Sequence, residues 1–163
     1  FGQAASGQLL AQGGQAWFGP GLAGRSLVTG VTHSGEHALE CLLDAKYARD
    51  LFQAVTVKAG EEYEASAWVF VDGAQSPDGV VVDIQWYSVE RIAVSDVSGP
   101  SPQWQLGQAR IASLRGRQPW THCVGRVIAP QGARSARIRV AFPREPDNWG
   151  RALVDDLMFR RKD

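Results

Sequence analysis

The stretch Tyr63-Glu64-Ala65-Ser66-Ala67-Trp68-Val69-Phe70-Val71 decides the fold. Its residues alternate with a period of two, so Tyr63, Ala65, Ala67, Val69 and Val71 share one side of an extended chain. That side reads as a core face. Glu64, Ser66, Trp68, Phe70 and Asp72 share the other, where a large indole beside Ser and Asp is unusual for a merely solvated surface, so Trp68 is a candidate exposed aromatic platform. A second alternating stretch follows, with Val80, Val82, Ile84 and Trp86 on the core side and Val81, Asp83, Gln85, Tyr87 and Val89 on the other. The connection between the two is short. They are therefore expected as antiparallel neighbours in one sheet, which would put Trp68 on the same face as Asp83, Gln85 and Tyr87.

Outward from this pair, helical periodicity is nearly absent, and short runs rich in Val, Ile, Tyr and Trp recur between Gly, Pro, Asp and Ser. Strands are expected at 25–31, 36–43, 51–58, 61–72, 79–89, 108–114, 120–129, 134–142 and 151–160. Turn residues at His33-Ser34-Gly35, Lys58-Ala59-Gly60, Ser76-Pro77-Asp78-Gly79, Ala129-Pro130-Gln131-Gly132 and Pro146-Asp147-Asn148 separate them. The pattern predicts an all-β, two-sheet antiparallel β-sandwich, and the 163 residues are the size of one domain, taken as 1–163.

Ile138, Val140 and Phe142 alternate with Arg137, Arg139 and Ala141, so both arginines join the polar side of their strand. After Trp120, the residues His122, Val124 and Arg126 oppose Cys123, Gly125 and Val127, but the pattern does not say which sheet this strand joins; His122 is a secondary candidate. Trp104, in the long loop from Ser95 to Gly107, either caps a cleft or anchors that loop. A pyranose has a C–H face and a rim of hydroxyls, so aromatic faces and planar polar groups on rigid strands are what it needs. Trp68, Asp83, Gln85, Tyr87, Arg137, Arg139, Trp104 and His122 are the candidate sugar-binding residues. The rival reading of the same residues is the ordinary polar face of a sandwich.

Seventeen basic and seventeen acidic residues cancel, which gives no reason to expect nucleic acid or an anionic membrane as the partner. The arginines suit a carboxylate- or sulfate-bearing chain, and the zero net charge suits a neutral β-glucan as well. No apolar run approaches the roughly 20 residues that cross a bilayer, and Phe1 to Ala11 lack the blocks of a signal peptide, so the chain reads as a mature or excised soluble piece. Cys41 and Cys123 lie far apart without a metal-type spacing; they are either two buried thiols or, if the fold brings them together, a disulfide.

His33-Ser34-Gly35-Glu36-His37-Ala38-Leu39 resembles the "hSGxxaL" segment of the carbohydrate-binding modules of families 4, 9, 16 and 22. Gln53 to Tyr63 resembles their "Q-x-V-x-V-x-x-G-x-x-Y", followed by "S-x-W-V" at Ser66, Trp68 and Val69; Trp120 with Val127, Ala129 and Pro130, and Val154-Asp155-Asp156-Leu157, resemble their later strands. The resemblance implies a secreted jelly roll whose concave face binds β-glucan, xylan or a related polysaccharide, attached to a glycoside hydrolase or lyase as catalytic domain. It also implies that Trp68 lines the cleft and that a structural calcium is held by one carboxylate of the closing Asp pair with an N-terminal acidic residue; Phe1 is followed by Gly2, so Asp155 is the first choice of ligand, with Asp156, or a plain hydrogen-bonded Asp155, as the alternatives.

Two other classes remain in view. A jelly-roll polysaccharide lyase would use a trio such as Tyr87, His122 and Arg139 for proton transfer, although dense catalytic motifs, a carboxylate array and a nucleophile elbow are all missing from the sequence. A structural or adhesive sandwich would carry no sugar site.

Overall fold

The computed structural model describes the backbone at residues 2–4, 8–10, 16–17, 25–28, 30–43, 49–90, 102–142 and 150–162, with side chains at 30–43, 50–90, 103–142 and 150–162. Its strands are β1 (Gly2–Ala4), β2 (Gln8–Leu10), β3 (Ala16–Trp17), β4 (Arg25–Val28), β5 (Ala38–Leu42), β6 (Arg49–Thr56), β7 (Glu62–Ala74), β8 (Val80–Tyr87), β9 (Gln105–Leu114), β10 (Gly116–Ile128), β11 (Ser135–Phe142) and β12 (Arg151–Arg161). A five-stranded sheet runs β10-β7-β12-β5-β4, a four-stranded sheet β6-β11-β8-β9, and a small sheet β1-β2-β3. All pairings are antiparallel. This is the expected all-β sandwich, and each of the nine expected strands is present.

The inward sides behave as their alternation requires. Ala65, Ala67, Val69 and Val71 of β7 are withdrawn from solvent, as are Val80, Val82, Ile84 and Trp86 of β8 and Ile138, Val140 and Phe142 of β11. They form two adjoining clusters, one around Val69, Val82 and Phe142 and one around Tyr63, Ile84 and Trp86.

One expectation is overturned. β7 and β8 are not neighbours in one sheet; β7 lies between β10 and β12, and β8 lies between β11 and β9. Each carries a complete apolar side, and placing the two strands in opposing sheets lets those sides cover each other. The segment between Ala74 and Val80 spans the roughly 10 Å between stacked sheets with ease. In consequence Trp68 and Tyr87 point out of opposite faces of the molecule.

The cysteines are two free, buried thiols, as one of the two sequence readings had it. Cys41 on β5 and Cys123 on β10 have β12 and β7 between them, three strand spacings or roughly 14 Å, too far for a disulfide. Burial pushes the Cys123 thiol up to about 11. It should therefore resist alkylation at mildly alkaline pH until denaturant is added, which thiol titration will show.

The crossing from β7 to β8 depends on Gly79, whose φ is +63° and where a Cβ would run into the Leu114 carbonyl. Gly79→Ala should cost about 2 kcal/mol or more in urea unfolding, whereas Gly35→Ala, with φ +61° but open surroundings, should cost about 1 kcal/mol.

Candidate functional site

The outer face of the four-stranded sheet gathers five of the candidate residues through strand register. Arg137 of β11 stands opposite Gln85 of β8 and Ala54 of β6, Arg139 opposite Asp83 and Phe52, and Ser135 opposite Tyr87. On β9, Gln108 and Arg110 continue the rows from Gln85 and Asp83 and are exposed.

Two interactions organise this face. The Arg137 guanidinium lies 4.8 Å from the Phe52 ring centroid and 5.0 Å from that of Tyr87, within cation–π range of both. Arg139 grips Asp83 in a fork, Nε to Oδ1 at 2.9 Å and Nη2 to Oδ2 at 2.5 Å, and its Nη1 donates to Asp50 Oδ2 at 3.2 Å. The Asp83 hydrogen bonds, followed by the charges of Asp50 and Asp83, hold the guanidinium even further above neutrality than usual. Tyr87 donates its hydroxyl to Gln85 Oε1 at 3.0 Å, and burial raises its pKa against the opposing pull of Arg137 and Arg139. Asp83 is 1 % exposed, Tyr87 7 % and Arg137 9 %, whereas Gln85, Arg139 and Asp50 are only half-buried. Tyr87 thus offers little ring surface, and the accessible groups are mostly polar.

The charges balance. Arg139 pairs with both Asp50 and Asp83, Arg137 lies beside them, and Arg110 pairs with Asp78 at 3.0 Å, so these described residues carry three positive and three negative charges. Trp104, 37 % exposed, directly precedes β9, and its carbonyl accepts the Ser88 amide at 2.9 Å, which puts it at the Tyr87 end of this sheet. Phe52 was not singled out from the sequence. Its signal was available in the alternation of Asp50, Phe52 and Ala54 against Leu51, Gln53 and Val55.

Trp68 and His122 sit on the opposite face of the molecule, paired across β7 and β10. Their expected union with Asp83, Gln85 and Tyr87 is therefore corrected, because the sheets separate them. Nor is Trp68 an open platform. The His33 imidazole stacks on its indole at 3.7 Å and 13°, and His122 lies at 4.8 Å and 16°. Trp120 meets His33 edge-on at 5.9 Å. The lyase trio fails for the same reason: His122 is on one face, Tyr87 and Arg139 on the other.

Asp155 and Asp156 explain why His33 is there. Asp155 Oδ2 accepts the amides of His33 and Ser34, each at 3.0 Å, and its Oδ1 accepts the Asp156 amide at 2.9 Å. Asp156 adopts φ 47° at the irregularity in β12 and binds His33 Nδ1 at 2.8 Å and Ser34 Oγ at 2.6 Å. Although burial pushes the Asp156 carboxyl up, these side-chain hydrogen bonds outweigh it and hold the group below its ordinary value. Three N–H donors thus occupy most of the acceptor sites of the Asp155 carboxylate, and no group of three His, Cys, Asp or Glu that could hold a metal occurs among the described residues.

No protein-family model matches the chain, and no curated protein sequence does. Solved structures do. A family 16 carbohydrate-binding module superposes with a TM-score of 0.61 at 12 % identity, over 84 % of this chain and 85 % of that one. TmCBM61, solved in complex with β-1,4-galactotriose, gives 0.56 at 19 % identity over 90 % and 88 %. The CBM22-2 xylan-binding domain from Paenibacillus barcinonensis Xyn10C gives 0.57 at 17 % over 90 % and 91 %. At these identities the likeness is one of fold: the chain has the β-sandwich fold of carbohydrate-binding modules.

The hydrogen-bonded clasp makes a prediction about metal. Asp155→Ala leaves three amides without their acceptor and should cost about 2–4 kcal/mol in thermal or urea unfolding, while chelator and added calcium leave the wild-type Tm where it was. A Tm that rises with calcium would contradict this. Because the Asp156 carboxyl is held low, its contribution is present above the unfolded carboxyl pKa and is lost as pH falls through the folded one.

Proposed function

We propose that the chain is a non-catalytic glycan-binding module and that polysaccharide lies on the outer face of the four-stranded sheet. The observation that carries this reading is the row Phe52, Arg137, Tyr87, locked beside the Arg139–Asp83 fork and edged by Gln85 and Gln108. Planar polar groups with fixed orientation suit the hydroxyl rim of a sugar, and strands that hold them rigid limit the entropy lost on binding. Trp104, at the open end of the row, supplies the exposed aromatic surface that Tyr87 lacks.

The balanced charges favour a neutral β-linked chain, such as a β-glucan, xylan or related glycan, over an acidic one on this face. The fold shared with modules that bind galactotriose and xylan supports the same class. Attachment to a carbohydrate-active enzyme and action outside the cell belong to this proposal. No acid–base role is assigned, since the one candidate trio is divided between two faces.

A second reading has its own support. Burial of Asp83, Tyr87 and Arg137 is what a purely structural sandwich would show, with ion pair and stack serving only to hold the sheet.

Affinity electrophoresis on a panel of neutral soluble polysaccharides separates the two. Retardation of the wild type is expected in at least one β-linked glycan. Gln85→Ala and Trp104→Ala should each weaken it about 3- to 10-fold, the worth of a hydrogen bond or a stacking contact, while Trp68→Ala on the other face leaves it unchanged. Absence of retardation throughout, or its loss only in Trp68→Ala, would leave the structural reading or the opposite face in its place.

A further inference from the structure

The two sheets part at one end of the sandwich. β5 pairs with β12 only as far as Val154, so from Met158 to Arg161 the strand has β7 on one side and, among the described residues, no strand on the other. The edge strand β6 of the opposing sheet ends nearby, and a cleft of about 450 Å³ opens between Val55 to Lys58 and Phe159 to Arg161. That size is within the roughly 300–1,000 Å³ of small-molecule sites.

Its floor is apolar. Phe159, half-buried, stacks parallel on Tyr63 at 5.0 Å and 4°, with Val55 and Val57 alongside. The rim is basic, and its cations share their carboxylates. Glu61 alone serves both Lys58 at 3.3 Å and Arg161 at 3.4 Å, and Glu64 serves Arg160 at 2.7 Å with Arg126 and Lys162 each at 3.7 Å. Among the described lining residues three cations, Lys58, Arg160 and Arg161, stand with one carboxylate, Glu61, in a chain whose total charge is zero. The Arg161 contacts to Glu61, 3.4 and 3.5 Å, lie beyond the usual hydrogen-bond range, so a closer anion competes for that guanidinium at little cost.

We propose that this cleft is a second binding site, taking one anionic sugar residue of a glycan. The sugar's C–H face rests against Phe159 and its carboxylate or sulfate bridges Arg161 and Lys58. The site is separate from the outer face of the four-stranded sheet and opposite to it in charge preference.

Titration of the folded chain with trigalacturonate, followed by amide NMR, tests the proposal. Shifts are expected at Val57–Glu61 and Phe159–Lys162 and should weaken with added salt. The double substitution Lys58→Ala with Arg161→Ala, both exposed side chains, should lower affinity about tenfold, from the loss of two solvent-exposed charge contacts. Arg117→Ala, which removes a partner of Asp72 at the far end of β7, should leave affinity unchanged. A sulfated oligosaccharide run in parallel tells which anion is preferred, and binding of either supports the site. Neutral xylotriose binding there equally well, no shift with either anion, or full affinity in the double variant would overturn it. Gln85→Ala should not affect this binding, so its outcome stands apart from that of the neutral-glycan face.

Discussion

The apolar side of β7 must be covered, and most of the structure follows from that. Ala65, Ala67, Val69 and Val71 cannot face water without losing the burial that holds so small a domain together, so a second sheet has to lie over them. The strands equipped to do so are β8 and β11, each with an unbroken row of Val, Ile or larger residues. Once they take that place, the polar residues of β7 and those of β8 are committed to opposite surfaces. The separation of Trp68 from Tyr87 is thus a consequence of core formation.

Each outer face then solves its own problem. On the four-stranded side, charged groups are brought close to the sheet by strand register and must be paired to be tolerated there. The Arg139–Asp83 fork meets that need geometrically, but such pairs rarely stabilise a fold more than apolar residues of similar volume would. On the five-stranded side, the segment carrying His33 and Ser34 is fastened by Asp155 and Asp156, and the stacking surface of Trp68 is used internally.

The strands were legible because period-two alternation is a local property, visible in Tyr63 to Val71 without knowledge of partners. Pairing was not, because a short connection serves a hairpin and a crossing between sheets equally well; only the facing of two complete apolar sides decides it. β1, β2 and β3 escaped notice for want of any alternation in two- or three-residue segments. Among site residues, Asp83, Gln85, Tyr87, Arg137 and Arg139 were placed on outward sides correctly, and register then united them. Trp68 was placed outward correctly too, but the His33 stack that covers it joins residues far apart in sequence. The "HSG" and "DD" segments were each visible; that they bind one another was not.

The central claim is that the four-stranded face, and not the Trp68 face, receives neutral glycan. Mapping amide shifts on titration with xylohexaose and a neutral gluco-hexasaccharide tests it most directly. The account predicts perturbations at Gln85, Tyr87, Gln108 and Arg139, with the amides of Trp68 and His122 undisturbed. Shifts centred on Trp68 and His122, or none with any neutral oligosaccharide, would contradict it.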